Sequence, residues 1–236
     1  MWNRGFFRAL VLGALLGGCL GKALAAQKIV LPSGSLLFAG LTDSGWQIFQ
    51  KELPDGKVKQ LTFSAGDKRD PVYLKDEKAV VALDSYGAIL AVGGTGKEQN
   101  YASGQSAWAR VSFFPENQKI LTAKLISSEL RRQYLFIYDV KTGKEDLFAQ
   151  PAVGSFRYAQ VSPDGKLVIA THLMAYGEER LALLDADKVY SGTGEMRYLT
   201  PSGVVAESPV WSKDGRKIYF TLKNSQEEAS ELAVVD

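Results

Sequence analysis

Cysteine and histidine are almost missing from this chain: its 236 residues hold one of each, Cys19 and His172. A single thiol excludes an internal disulfide framework and every multi-cysteine zinc site, and a single imidazole removes most catalytic and metal constellations that need one. Proline is scarce, at 8 residues, which excludes a collagenous chain. An excess of one charge is missing too, since 28 Lys and Arg stand against 26 Asp and Glu. The only long apolar run lies in the first 25 residues. What is present is an ordinary globular composition, 46% hydrophobic and 11% aromatic with 23 Gly, in a chain long enough for one or two domains.

Residues 1–25 read as an export signal. Arg4 and Arg8 form a basic start, and Ala9-Leu10-Val11-Leu12-Gly13-Ala14-Leu15-Leu16 supplies the apolar centre. The run breaks at Gly17-Gly18 and meets Lys22, short of the roughly 20 apolar residues that a span needs. Two processing sites compete. Ala23-Leu24-Ala25 before Ala26 has the small-x-small form, while Leu16-Gly17-Gly18-Cys19 resembles a bacterial lipobox and would make Cys19 a lipidation site. The mature domain is expected at 26–236, periplasmic or secreted, or anchored through Cys19, with no transmembrane span after cleavage. Loss of Arg4, Arg8 and Lys22 and of no acid takes the formal charge from +2 to −1. That balance lacks the footprint of a nucleic-acid binder or of a protein drawn to anionic membranes.

Internal similarity is the most informative feature of the rest. Residues 61–80, LTFSAGDKRDPVYLKDEKAV, align without a gap on 199–218, LTPSGVVAESPVWSKDGRKI. Leu61/Leu199, Thr62/Thr200, Ser64/Ser202, Pro71/Pro209, Val72/Val210, Lys75/Lys213 and Asp76/Asp214 are identical. The core of the unit, an apolar residue, a polar turn and a β-branched or aromatic run, recurs at 30, 73, 113, 161 and 211. Spacings of 40 to 50 residues suit a four-stranded sheet per unit. Asp-Gly or Pro-Asp-Gly between extended runs supplies the positive φ of a hairpin turn. Further strands are expected at 46–49, 88–92, 134–138, 181–184 and 232–235, with outer strands at 57–62 and 195–200 and a polar turn at 191–194. Helical periodicity is nearly absent, so the mature chain is expected to be all-β.

The pattern LT-x(8)-PxWSxDGxxIxF followed by an LxVxD strand resembles the repeat of TolB-type β-propellers and of the related propellers of prolyl oligopeptidases. The resemblance is strong at 199–222 and 61–84, good at 159–172 and eroded at 111–124 and 30–41. It implies an all-β propeller of about five blades, the last blade incomplete or closed by the amino-terminal strand at 27–30. TolB proper carries an amino-terminal α/β domain before six blades, and only a handful of residues precede the first unit here. The resemblance therefore covers the propeller alone, without that domain and without an oligopeptidase hydrolase domain. It also implies contact with an envelope lipoprotein or a peptidoglycan-associated protein.

Catalytic chemistry finds little to work with. His172 lies in the strand-like run Leu167–Leu173, no GxSxG elbow is present, and His172 reads as a satisfied strand residue. Asp55, Asp76, Asp164 and Asp214 recur in the turns, and Asp43 and Asp84 in a second matched turn, as structural caps. Acids around a channel remain the one enzymatic option, with Asp70 as the candidate. No cofactor or metal is expected. What is left is a binding surface on the loops of one face. Arg69, Asp70, Arg110, Arg157, Tyr158 and Glu207 precede or open the inner strands, and Trp46, Tyr86, Arg131, Arg132 and Tyr176 sit in the companion loops. Arg, Tyr and Trp are the residue types that dominate interface energetics. The expected function is therefore a non-enzymatic module that binds or scaffolds an envelope protein or lipoprotein. The alternatives are a carbohydrate-active enzyme using channel acids and a small-ligand or glycan sensor.

Overall fold

The computed structural model describes residues 34–236 except 75–78, 86, 93–96, 103–107, 117, 128–131, 175–176, 193–195 and 225–229. The described residues lie in one compact unit, Ser33–Asp236. The export signal, Cys19 and the expected strand at 27–30 fall outside them.

Five groups of antiparallel strands follow one another along the chain, in four hydrogen-bonded sheets, because the fourth and last groups are joined where Glu179 pairs in parallel with Val205. The first holds β1 (Gly34–Thr42), β2 (Gly45–Leu53) and β3 (Val58–Gln60), in that order. The second holds β4 (Arg69–Leu74), β5 (Ala79–Leu83), β6 (Ile89–Val92) and β7 (Glu98–Ala102). The third begins with β8 (Trp108–Phe113), β9 (Lys119–Ser127), β10 (Arg132–Asp139) and β11 (Glu145–Pro151). The fourth begins with β12 (Ser155–Val161), β13 (Leu167–Leu173) and β14 (Glu179–Asp185). Two short strands come next: β15 (Tyr190–Gly192) pairs parallel with β11, and β16 (Arg197–Tyr198) completes the fourth sheet against β14. The last sheet has three strands among the described residues, β17 (Val204–Trp211), β18 (Ile218–Asn224) and β19 (Glu231–Val235). These groups are the five expected units.

Each sheet is buried on the face it turns to a neighbour, and four separate apolar clusters fill the gaps between successive sheets. Strand β5 shows the consequence. Val80 and Ala82 pack with Ile48 of the first sheet and with Leu61 just after it, while Val81 and Leu83 pack with Ile120 of the third. All five residues of β5 are buried, which is why Ala79-Val80-Val81-Ala82-Leu83 reads as an unbroken apolar run. At about 1.5–3 kcal/mol per fully buried large side chain, this stacking of sheets is the main favourable term in the fold.

The repeated Ser-x-Asp-Gly turn closes on itself. Ser162 Oγ donates to Asp164 Oδ1 at 2.6 Å and accepts from Leu167 N at 2.9 Å, while Lys166 N donates to the same carboxylate at 3.1 Å. Ser212, Asp214, Arg216 and Lys217 repeat these bonds at 2.6, 3.2 and 2.9 Å. The serine hydroxyl, helped by the backbone amide, holds each carboxyl below its ordinary range. Asp164 and Asp214 are thereby committed to their turns.

The Leu-Thr pair of the repeat also acquires a physical meaning. Leu61 N donates to Ile48 O, and Ile48 N donates to Thr62 Oγ1 at 2.8 Å. Leu199 N donates to Leu181 O, and Leu181 N donates to Thr200 Oγ1 at 3.1 Å. The threonine hydroxyl thus takes the place of a backbone carbonyl where the outer strand ends and the chain turns inward. That substitution ends the outer strands at Gln60 and Tyr198, two residues short of the expected 62 and 200. The polar turn expected at 191–194 differs as well, because Ser191 and Gly192 belong to β15. Tyr190 anchors that strand: its ring is buried edge-on against Phe148, at 6.1 Å, and its hydroxyl accepts from Asp185 N.

Candidate functional site

Four inner strands, β4, β8, β12 and β17, bring equivalent positions of four repeats to one opening. Asp70, Tyr158 and Ser208 have φ of 51°, 49° and 56°, a left-handed conformation that side-chain-bearing residues adopt at a cost. Each sits in a β-bulge, where two residues of the inner strand oppose one of its partner. A bulge turns its side chain out of the ladder. The fourth strand has its register shift between Trp108 and Arg110, and Arg110 occupies the matching repeat position. Replacing Ser208 by glycine is expected to raise stability by about 0.5–1 kcal/mol, the left-handed penalty less the extra chain entropy of glycine. Chemical denaturation measures this directly, and a loss of stability would show that the serine side chain holds the bulge.

Asp70, Arg110, Tyr158 and Ser208 rim a cavity of about 230 Å³ whose walls are Val72, Val111, Gln160 and Val210. Their side chains meet across sheets. The Arg110 guanidinium lies 3.7 Å from Asp70 Oδ1 and 4.3 Å above the centre of the Tyr158 ring. Val72, Val111 and Gln160 also line a second cavity of about 630 Å³, with Leu74, Phe113 and Phe114 among its walls. The mouth is polar at its rim and apolar below. Such an arrangement orients a ligand by charge and ring stacking and receives an apolar end.

A second polar group stands beside it. Arg157 and Glu207 directly precede Tyr158 and Ser208 in the chain, and Arg157 Nη1 lies 3.7 Å from Glu179 Oε1. Burial pushes the Glu179 carboxyl above its usual range, the Glu207 carboxylate adds to this, and Arg157 partly offsets it. Glu179 Oε2 and the fully buried Thr171 Oγ1 have no hydrogen-bond partner among the described residues.

The other polar groups have structural roles. His172 Nε2 lies 2.7 Å from Val153 O, so this nitrogen donates, and Nδ1 accepts from the Tyr198 hydroxyl at 2.7 Å. Burial lowers its basicity, and both nitrogens are occupied. Arg180 covers Tyr198 and donates twice to Thr200 O. Lys68, which the repeat pattern gave no reason to single out, is 1% exposed; its ammonium donates to Ser64 O, Ala65 O and Gly66 O at 2.6–3.0 Å. Gln47 reaches Ser64 O and Gly66 O from β2, and Glu98 of β7 accepts from Ser64 N. The crossing from first to second sheet is thus pinned from both sides. Lys68→Met is expected to cost about 2–3 kcal/mol, because Ala65 O loses its donor while Gln47 still serves its neighbours. A shift below 1 kcal/mol in urea denaturation would show that water replaces the ammonium.

Among the expected site residues, the structure gathers Asp70, Arg110 and Tyr158 at the mouth and Arg157 with Glu207 beside it. Arg69 opens β4 next to Asp70. Trp46, 46% exposed at the start of β2, and Arg132, at the start of β10, do not line the cavity. Tyr86, Arg131 and Tyr176 lie outside the described residues. Thr171 and Glu179 join the site without having been expected, and Ser208, which follows Glu207 ahead of its inner strand, stands at the rim. Ser208 had a signal in its alignment with Asp70; Thr171 and Glu179 had none.

No family model matches the chain, and no curated protein matches it in sequence. Solved structures do. TolB from Acinetobacter baumannii is similar with a TM-score of 0.70 at 19% identity over 86% of this chain, which spans 50% of the other. The fold is a TolB-like β-propeller. A putative TolB from Agrobacterium tumefaciens gives a TM-score of 0.63 at 14% identity, covering 87% of this chain and 78% of that one. An oligogalacturonate lyase in complex with manganese gives 0.61 at 18% identity, covering 86% of this chain and 59% of that one. The propeller fold is therefore shared by TolB proteins and by an enzyme, and at these identities the likeness concerns the fold. Among the described residues of this propeller, no helix is long and apolar enough to cross a membrane.

Proposed function

We propose that this propeller is a non-enzymatic recognition module of the bacterial cell envelope, exported by residues 1–25, and that its central mouth binds a segment of a partner protein. The observation that carries the reading is the use of one repeat position for four different side chains. The repeats share a backbone device, the bulged inner strand, yet place Asp70, Arg110, Tyr158 and Ser208 on it. A purely structural position would be expected to keep its residue type, as the serine, aspartate and glycine of the turns at 162–165 and 212–215 do. Non-glycine residues in the left-handed region are strain that a site spends to aim side chains. The likeness to TolB structures supports an envelope protein or lipoprotein as the partner. Periplasmic or secreted location, or anchoring through Cys19, follows from the amino-terminal signal.

The test is capture from solubilised envelope by the exported protein, compared with Arg110→Ala and Tyr158→Ala. Both residues stand at the rim, so thermal midpoints are expected to stay within a few degrees while a specific partner is lost. Identical captured sets from all three baits would overturn the reading.

One observation favours a second reading. A carboxyl raised by burial is what a general acid needs, and Glu179, raised by burial and further by the Glu207 carboxylate, offers it. An enzyme of that kind would act on an acidic sugar chain steered by Arg157. It predicts turnover of oligogalacturonate that Glu179→Gln abolishes, and no turnover would remove it.

A further inference from the structure

We propose that the mouth takes a chain end: the terminal carboxylate of the partner protein on the Arg110 guanidinium, with an aliphatic last side chain in the cavity below. The inference rests on the recognition reading above and names the part of the partner that enters. Arg110 Nη1 lies 3.7 Å from Asp70 Oδ1, too far for a hydrogen bond. Neither the guanidinium nor the hydroxyls of Tyr158 and Ser208 have a hydrogen-bond partner among the described residues. Three donor groups thus stand around one opening, and Asp70 is the only acid among the residues that line it. The guanidinium is also held in place, for its central carbon lies 4.3 Å from the centre of the Tyr158 ring. A planar guanidinium so supported presents its donors as a fork, the geometry that a carboxylate matches with two parallel hydrogen bonds.

Below the rim the wall turns apolar within one or two residues. Val111 follows Arg110, Val72 stands two residues after Asp70, and Val210 two after Ser208. Pro71 and Pro209 lie between, and a proline has no amide N–H to offer a ligand. An anion and an apolar group must therefore leave the ligand from nearly the same atom. A carboxyl-terminal residue meets that condition, since its α-carboxylate and its side chain are borne by one Cα. An acidic side chain does not, because its carboxylate ends the very group that would have to fill the cavity. The volume of about 230 Å³ equals that of about eight waters in the liquid, room for a branched aliphatic side chain. Asp70 and Arg110 cancel in formal charge, so recognition comes from hydrogen-bond geometry, and Asp70 opposes the incoming carboxylate.

The experiment titrates Nα-acetyl-leucine into the exported protein and follows backbone amide shifts by NMR. Nα-acetyl-leucinamide, Nα-acetyl-glycine, Nα-acetyl-glutamic acid α-amide and galacturonate are the companions. Saturable shifts centred on Val111, Tyr158 and Val210 are expected, with acetyl-leucine the tightest of the five. Arg110→Gln is expected to weaken it about tenfold or more, the worth of charge-assisted hydrogen bonds. Asp70→Asn is expected to tighten it about threefold by removing a like charge, a gain that damage to the fold cannot imitate. Equal or tighter binding of any companion, unchanged affinity in Arg110→Gln, or no tightening in Asp70→Asn would each overturn the inference. The amide would show that the carboxylate is idle, the glycine that the cavity is, and the glutamate or the sugar that the anion has another source. Failure is distinguishable from failure of the recognition reading. If Arg110→Ala abolishes partner capture and acetyl-leucine does not bind, only the chain-end inference falls. If Arg110→Ala captures the same proteins as wild type, the recognition reading falls and this inference with it.

Discussion

Replacing Gly154 by alanine is expected to destabilise the protein by about 3–5 kcal/mol, a large fraction of the 5–15 kcal/mol that holds a typical domain together. Gly154 lies just before β12 with φ of 86°, and a Cβ there would stand 2.0 Å from the carbonyl oxygen of Leu173 and 3.0 Å from its carbon. The obstacle is backbone. Leu173 pairs with Ser155 at the end of the β12–β13 ladder, so it cannot swing away as a side chain would. Relief requires that ladder to shift, and with it the Val153 carbonyl that His172 Nε2 contacts at 2.7 Å. Gly203→Ala is the control, because Gly203 has φ of 82° but open space around its Cβ. It is expected to cost only the left-handed penalty, about 1–2 kcal/mol. Equal urea midpoints for the two variants would show that Gly154 matters only for its dihedral angle.

Phe156→Ala is expected to cost about 3–5 kcal/mol, the transfer free energy of the ring plus the cavity it leaves. Phe156 is completely buried in the cluster between third and fourth sheets, with Leu135, Phe148 and Ala170 among its members. Its ring centre lies 5.1 Å from that of His172. The cavity is not expected to collapse, because the backbones on either side belong to two hydrogen-bonded sheets. Phe156→Leu, which keeps most of the volume, is expected to cost less than about 1.5 kcal/mol. The difference between the two variants, read from denaturation curves with unchanged slopes, measures the cavity. A loss below 1 kcal/mol for the alanine variant would mean that the sheets close over the gap.

The strands, their order and their turns were largely legible in the sequence, because each is decided within about ten residues. A serine two positions before an aspartate and three before a glycine can complete the turn at 162–167 with its own atoms, and the same residues do so at 212–217. Apolar runs such as Ala79–Leu83 announce a strand buried on both faces, and the 40–50-residue spacing announces one sheet per unit. Where local reading failed, a distant group had intervened. Residues 191–192 look like a polar turn, yet Tyr190 finds Phe148 some forty residues earlier and draws the segment into a strand.

The candidate site was legible only in part, for the same reason. Asp70, Arg110, Tyr158 and Ser208 are 40 to 50 residues apart, and nothing near any of them in sequence tells that an arginine will lie between a carboxylate and a ring. Residue type marked Arg110 and Tyr158 as candidates, and repeat position tied them to Asp70 and Ser208. Lys68 carries the opposite lesson. By composition it is a solvated cation, and it is buried because three carbonyls of its own loop cage the ammonium once Gln47 and Glu98 fix that loop from two sheets. Thr171 and Glu179 are ordinary strand residues until the last sheet packs over them and removes water. Strand identity, turn chemistry and the number of units are thus properties of short stretches of this chain, set by side-chain alternation and local hydrogen bonds. Which side chains share a mouth, and which polar atoms are left without partners, depend on how sheets pack against one another, an arrangement that brings together residues with no local relation.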